Sequence, residues 1–446
     1  MKKDVIQLSD HFTLGRLYRF CLPSIIMMVF TSIYGVVDGY FVSNYVGKTP
    51  FAAVNLIMPF LMILGGVGFM IGTGGSALVA KHLGEKDENQ ARRVFSMMMI
   101  LTLILGVSIS VLGVIFADKV ALLLGADSEM LEYCVIYART CLIFNTMFMF
   151  QNVFQSFLVT AERPKLGLVV IVAAGCTNML LDFLFIAVFQ LGVVGAALAT
   201  GLSQTVGGLL PLIFFLRKTN GSKLHMVRTR LELRPVLQAC SNGASELMTN
   251  ISSSVVSMLY NHQLLTLAGE NGVSAYGVLM YVSFIFAAVY IGYSIGTAPI
   301  VGYNYGAQNH AELRNIRVKS MRSMLIGGVI MVSLAELLAP VLAGIFVGYD
   351  KELFDMTVHA FRLFSFTFLL SGFNIWCSSF FTALNNGAIS AAVSFLRTLV
   401  FQLAAVLILP IFFKLDGVWF SVAFAEVCAF IISVIFLIAK RKKYNY

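Results

Sequence analysis

Charge is scarce in this sequence. Asp, Glu, Lys and Arg make up 12% of its 446 residues, about half the share of roughly 25% usual in soluble proteins. Hydrophobic residues make up 59% and the mean hydropathy is +0.86. A soluble body needs a charged exterior, so a chain of two or three soluble domains is excluded. Motifs of soluble chemistry are missing too: there is no GxxxxGK(S/T), no GxSxG and no HExxH. Direct ATP coupling therefore has no support, and an enzyme is not expected. The seven cysteines are scattered with no CxxC pair, so they read as reduced packing residues and no metal site is expected. The first twenty residues hold no compact apolar run followed by a small-residue cleavage site, so no removable signal peptide is expected.

What is present is a series of long apolar runs. The charge-free stretches 49–80, 94–117 and 140–161 each exceed the roughly 20 residues that cross a bilayer as helix. The stretch 183–216 is longer and breaks at Gln190-Leu191-Gly192. The pattern predicts an all-α integral membrane protein with twelve transmembrane helices, at 14–41, 51–80, 94–117, 131–159, 166–188, 193–216, 236–265, 273–303, 321–340, 354–383, 389–412 and 416–439. The net charge of +9 would suggest nucleic acid in a soluble chain. Here the basic residues crowd into short connections. With the N-terminus inside, 24 of the 31 lie in inner segments, including Lys2 and Lys3, six lie outside, and Arg397 lies within a span. That asymmetry predicts both termini in the cytoplasm, with lipid and not nucleic acid around the chain.

The chain also repeats itself. GGSALVAKHLGEKDENQARR (Gly74–Arg93) and GTAPIVGYNYGAQNHAELRN (Gly296–Asn315) align at a shift of 222, pairing Gly74 with Gly296, Gly84 with Gly306 and Arg92 with Arg314. GADSEMLEYCVIYAR (Gly125–Arg139) and GYDKELFDMTVHAFR (Gly348–Arg362) align at 223. Charged loop positions match as well as glycines, which argues against chance. The expected organisation is an N-terminal lobe, residues 1–216, a basic linker, 217–235, and a C-terminal lobe, 236–446. Each lobe has six helices, and the functional cavity is expected between them.

An ionisable group in hydrocarbon needs a reason. Five acids fall inside spans: Asp38, Asp182, Glu246, Glu336 and Glu426. Asp38 and Asp182 lie near the ends of two outward-running helices. Asn178 precedes Asp182 by one turn on the same face, and Thr200 lies about two turns into the sixth helix. All four fall within ~11 Å of one depth. Two carboxylates, an amide oxygen and a hydroxyl form a hard-oxygen set suited to a proton or a small monovalent cation. Tyr34, one turn before Asp38, is placed to donate to it. The alternative is that the acids are satisfied by neighbouring donors and only fix helix packing. Glu246 stands between Asn242 and Asn250 at four-residue spacing, which fits a second ion site, a contact for a cationic substrate, or a packed polar network. Glu336 reads as a side chain snorkelling to the interface, and Glu426 has no sequence explanation. Pro23 breaks the hydrogen-bond ladder of the first helix ~22 Å before Asp38, as either a hinge or an ordinary transmembrane proline. Flexible Met and aromatic Phe, 21 and 38 in number, suit a cavity for apolar cations, although most must face lipid or other helices.

These features together resemble the multidrug and toxic compound extrusion (MATE) family: twelve spans as six plus six, Pro23 and Val37-Asp38 in the first helix, Asn178-x3-Asp182 in the fifth, and Thr200 in the sixth. The resemblance covers nearly the whole chain and is nearest to the MepA-type bacterial branch. It implies the two-lobe architecture of the MOP superfamily and a cation-coupled antiporter, driven by H⁺ or Na⁺ with no other cofactor. Such a protein exports lipophilic, mostly cationic drugs across the bacterial cytoplasmic membrane by alternating access, and is expected to be a monomer. It also implies that Asp38, Asn178, Asp182 and Thr200 form the N-lobe cation and proton site. Glu246 matches an acid used in the C-lobe by the NorM-type branch, whose second acid, in the tenth helix, is replaced here by Asn374. Two rival readings remain. A lipid-linked saccharide flippase of related architecture needs a strongly cationic cavity, and Arg397 is the one basic residue deep in a span. A membrane-embedded enzyme needs a reactive His, Ser or Cys constellation, which the sequence does not present.

Overall fold

The computed structural model describes residues 6–446, with the side chain of Lys48 left out; Lys2 and Lys3 of the expected inner face lie outside the described residues. Among the described residues every regular element is a helix. The first lobe comprises α1 Leu14–Tyr45, α2 Lys48–Gly84, α3 Glu88–Leu123, α4 Leu131–Thr160, α5 Pro164–Asp182, which continues as a π-helical stretch Phe183–Val188, and α6 Gly192–Leu216. Residues 217–232 are non-helical. The continuous stretch Leu233–Gly306 breaks at Gly269, whose φ of 63° and ψ of −152° no helix allows. It therefore forms two spans, α7 (233–268) and α8 (270–306). Next come α9 His310–Val347 and α10, which bends by 45° between Lys351–Ser365 and Thr367–Ala383. The last two spans are α11 (387–413), which includes the π stretch Leu396–Val400, and α12 (415–444). They are divided at Lys414, with φ 51° and ψ −127°. All twelve expected spans are present. The bend in α10 was not expected. Beside the bend, the Ser365 hydroxyl lies within hydrogen-bond distance of two acceptors, the Arg362 carbonyl at 2.8 Å and the Glu336 carboxylate.

The repeat is written into the turns. Left-handed or otherwise positive φ angles recur at Gly47 and Gly269, at Lys86 and Gln308, and at Glu162 and Asn385, pairs separated by 222, 222 and 223 residues. Asp87 caps α3 by accepting from the Gln90 amide at 2.9 Å, and Asn309 caps α9 by accepting from the Glu312 amide at 3.2 Å. An N-cap side chain satisfies one of the donors that a helix start leaves free.

The lobes meet at the face that carries both described chain ends. The Phe12 amide donates to Glu312 at 2.9 Å, and Lys319 donates to the Phe12 carbonyl at 2.6 Å. Glycines let the backbones touch there. A Cβ on Gly84 of α2 would strike the Tyr303 carbonyl of α8, and one on Gly306 of α8 would strike the Lys81 carbonyl of α2. These two contacts exchange under the 222-residue shift, so the pseudo-twofold axis passes between α2 and α8. Likewise Gly74 lies against Ala239 and Gly243 of α7, and Gly296 lies against Cys21 of α1.

Candidate functional site

Away from that closed face a cavity of about 350 Å³ lies between the lobes. From the first lobe α1 contributes Tyr34 and Asp38, α2 Met58 and Met62, α4 Phe148, α5 Asn178, and α6 Thr200 and Gln204; α8 of the second lobe contributes Tyr281 and Phe284. The lining is aromatic rings, thioethers and neutral polar groups around one carboxylate, with no Lys, Arg or His.

Asp182 lies behind this wall and is fully buried, as is Asn178. The carboxyl groups of Asp38 and Asp182 lie close enough to interact. Two carboxylates have only acceptors to offer each other, so neighbouring charges of the same sign favour sharing a proton or a cation. The surrounding protein does not supply one. Among the described residues, Oδ1 of Asp38, both carboxyl oxygens of Asp182, Oδ1 of Asn178 and Oγ1 of Thr200 are buried with no protein hydrogen-bond partner. Buried polar oxygens are normally satisfied. Five orphaned oxygens on the four residues singled out by sequence form a donor set that fits a proton or a small hard cation. Local structure helps to place them. The α-helix ends at Asp182 and continues as π-helix, a local widening frequent at functional sites. Gly175 makes room for Phe30 and Tyr34 where α1 packs on α5.

The remaining sequence candidates fall in different places. Tyr34 lines the cavity, but no hydrogen bond joins it to Asp38 among the described residues, so the expected donor role is not seen. Pro23 is buried within a continuous α1, next to Ser24 and Ile25, whose backbone lies against Gly292 of α8. The packed-network reading of Glu246 finds no support in its flanking amides. Asn242 donates to Asn385 at 2.7 Å, and Asn250 donates to the Glu246 backbone carbonyl at 2.9 Å, not to its carboxylate. Glu336 is not simply snorkelling, because it accepts from Ser365. Glu426, unexplained by sequence, is paired: Arg397 Nε donates to its two oxygens at 2.8 and 3.1 Å, and Asn374 Nδ2 donates at 2.7 Å. Opposite charges inside consecutive spans were the available signal for this pair.

A family model described as MatE matches the chain twice, over residues 23–184 and 247–407. The multidrug export protein MepA of Staphylococcus saprophyticus is 25% identical over 421 residues, covering 92% of this chain and 90% of that protein. The MepA of Staphylococcus aureus strain NCTC 8325 is 22% identical over 412 residues, covering 92% and 90%. Among solved structures, an outward-facing multidrug resistance MATE family transporter of the MOP superfamily superposes with a TM-score of 0.93 at 24% identity, covering 100% of this chain and 99% of that one. The two family matches fall one in each half of the chain, at nearly the spacing of the repeated turns. The chain belongs to the MatE family, the multidrug and toxic compound extrusion proteins.

Proposed function

We propose that this protein is a cation-coupled antiporter that exports lipophilic, mostly cationic compounds across the bacterial cytoplasmic membrane by alternating access. The observation that carries the reading is the set of orphaned oxygens on Asp38, Asn178, Asp182 and Thr200, beside a cavity of drug-like volume. Mass action does the rest. An ion that prefers one lobe arrangement and a drug that prefers the other drive exchange, because each ligand shifts the equilibrium by its differential affinity. Asp38 lines the cavity and lies against Asp182, so the ion site and the drug site share a wall. A lining with one carboxylate and no base favours cations, and Tyr281 and Phe284 offer ring faces for apolar ones.

In this reading residues 1–216 and 236–446 are the moving lobes, joined by the linker 217–235, and the protein works as a monomer. The face that carries the chain ends is cytoplasmic, which places the cavity in the outer half. The similarity to relatives named as multidrug export proteins supports this over a saccharide flippase, whose pyrophosphate would call for basic groups in the cavity. The test is dye efflux from proteoliposomes with a pH gradient and a Na⁺ gradient imposed separately. One of the two should drive efflux severalfold above the ungraded control; equal flux with neither gradient would reject coupling.

A further inference from the structure

The two lobes balance their interior charge in different ways. The N-lobe pair, Asp38 and Asp182, has no basic side chain among the cavity-lining residues. In the C-lobe the π stretch of α11 presents Arg397 to Glu426 on α12, which is 1% exposed. Only Nε is engaged, at 2.8 and 3.1 Å; the two terminal nitrogens of the guanidinium make no hydrogen bond among the described residues. From α10, Asn374 completes the Glu426 shell at 2.7 Å and is held in turn by the Ser433 hydroxyl at 3.1 Å. From α8, Tyr290 donates to the Phe368 carbonyl at 2.8 Å. From α7, Glu246 lies within electrostatic reach of Arg397 and receives no hydrogen bond on its carboxylate among the described residues.

We propose that Arg397 is the resident cation of the C-lobe. Its guanidinium neutralises Glu426, taking the place that a mobile ion takes in the N-lobe, and so confines ion coupling to Asp38 and Asp182. A buried carboxylate that loses its only counter-charge is strongly destabilised and recruits a proton or a metal cation to replace it. Arg397 is thus a specificity-determining residue for the ion, not for the drug. The inference rests on the N-lobe reading above only for where coupling occurs; the charge balance inside the C-lobe is a separate matter.

The test keeps the two apart by working in an Asp38→Asn/Asp182→Asn background, where the N-lobe acids are neutral. The midpoint of thermal unfolding, Tm, is measured in detergent while NaCl replaces choline chloride at pH 8, and again as the pH falls to 5. Adding Arg397→Met should create a cation-dependent rise in Tm, of about 3 °C or more, with Na⁺ or with protons. Adding Glu426→Gln as well should remove that rise. An Arg397→Met response that matches the background in both titrations would overturn the proposal. Should Arg397→Met fail to fold, Arg397→Met/Glu426→Gln, which removes both charges of the pair, should restore folded protein, because no uncompensated carboxylate is left; failure of that variant as well would overturn the proposal.

Discussion

Asp38 of α1 and Asp182 of α5 lie close enough to interact within the N-lobe, with three of their oxygens buried and unpartnered by protein. Two acceptors held together in a low-dielectric interior repel when both are ionised and attract when one proton or cation is shared. In the proposed cycle, ion occupancy governs how closely α1 and α5 pack. Replacing either acid with Asn supplies an amide donor, mimics the neutral state and freezes that choice. Asp38→Asn and Asp182→Asn should each lower gradient-driven dye efflux at least tenfold while leaving folded protein in the membrane. Near-normal efflux by both would place coupling elsewhere.

Glu246 should matter less. At the tenth-helix position where a second acid would stand is Asn374, which is committed to Glu426 at 2.7 Å. Glu246→Gln should keep a substantial part of the efflux that Asp182→Asn loses, across several dyes. Equal loss in the two variants would contradict a single coupling lobe.

The closed face makes a structural prediction. Gly84 and Gly306 occupy equivalent positions, each against a backbone carbonyl of the other lobe. Neither neighbour is a flexible side chain that can turn aside, so Gly84→Val and Gly306→Val should each destabilise the closed arrangement by roughly 1–3 kcal/mol. Spin labels placed on either side of this face should show the lobes further apart in both variants, to a similar degree because the contacts exchange under the pseudo-twofold. An unchanged distance distribution would contradict the interlobe packing described.

Pro23 tests the helix that joins ion site and lobe interface. Its neighbours Ser24 and Ile25 lie on Gly292 of α8, while Asp38 on the same helix faces the cavity. Pro23→Ala restores a backbone donor and removes the ring clash with the preceding turn, without touching the carboxylate. With bending as the transmission, dye binding should persist while turnover falls severalfold at matched expression. Wild-type turnover would identify Pro23 as a tolerated proline only.

Much of this was legible in the sequence because hydrocarbon leaves few solutions. The twelve spans follow from the lengths of the apolar runs, and the repeat follows from loop charges and glycines such as Gly84 and Gly306. Asp38, Asn178, Asp182 and Thr200 were legible because polar groups in such spans are rare and their helix registers set a common depth. The bend of α10 was not, since no proline or glycine stands at Phe366, where the helix breaks. The Arg397–Glu426 pair was hidden because its members are 29 residues apart on different helices. Helical periodicity places a residue on a face, but not the neighbouring helix that the face meets.

The most direct test of ion–drug exchange is made on the purified protein with no membrane. Reciprocity requires that a drug which favours the ion-free arrangement expel the bound ion. Adding saturating dye to detergent-solubilised protein in weak buffer, with proton release followed by an indicator and Na⁺ release by tracer, should liberate about one ion per protein from the wild type and none from Asp38→Asn/Asp182→Asn. Release of the same amount from that double variant, with dye still bound, would contradict the account.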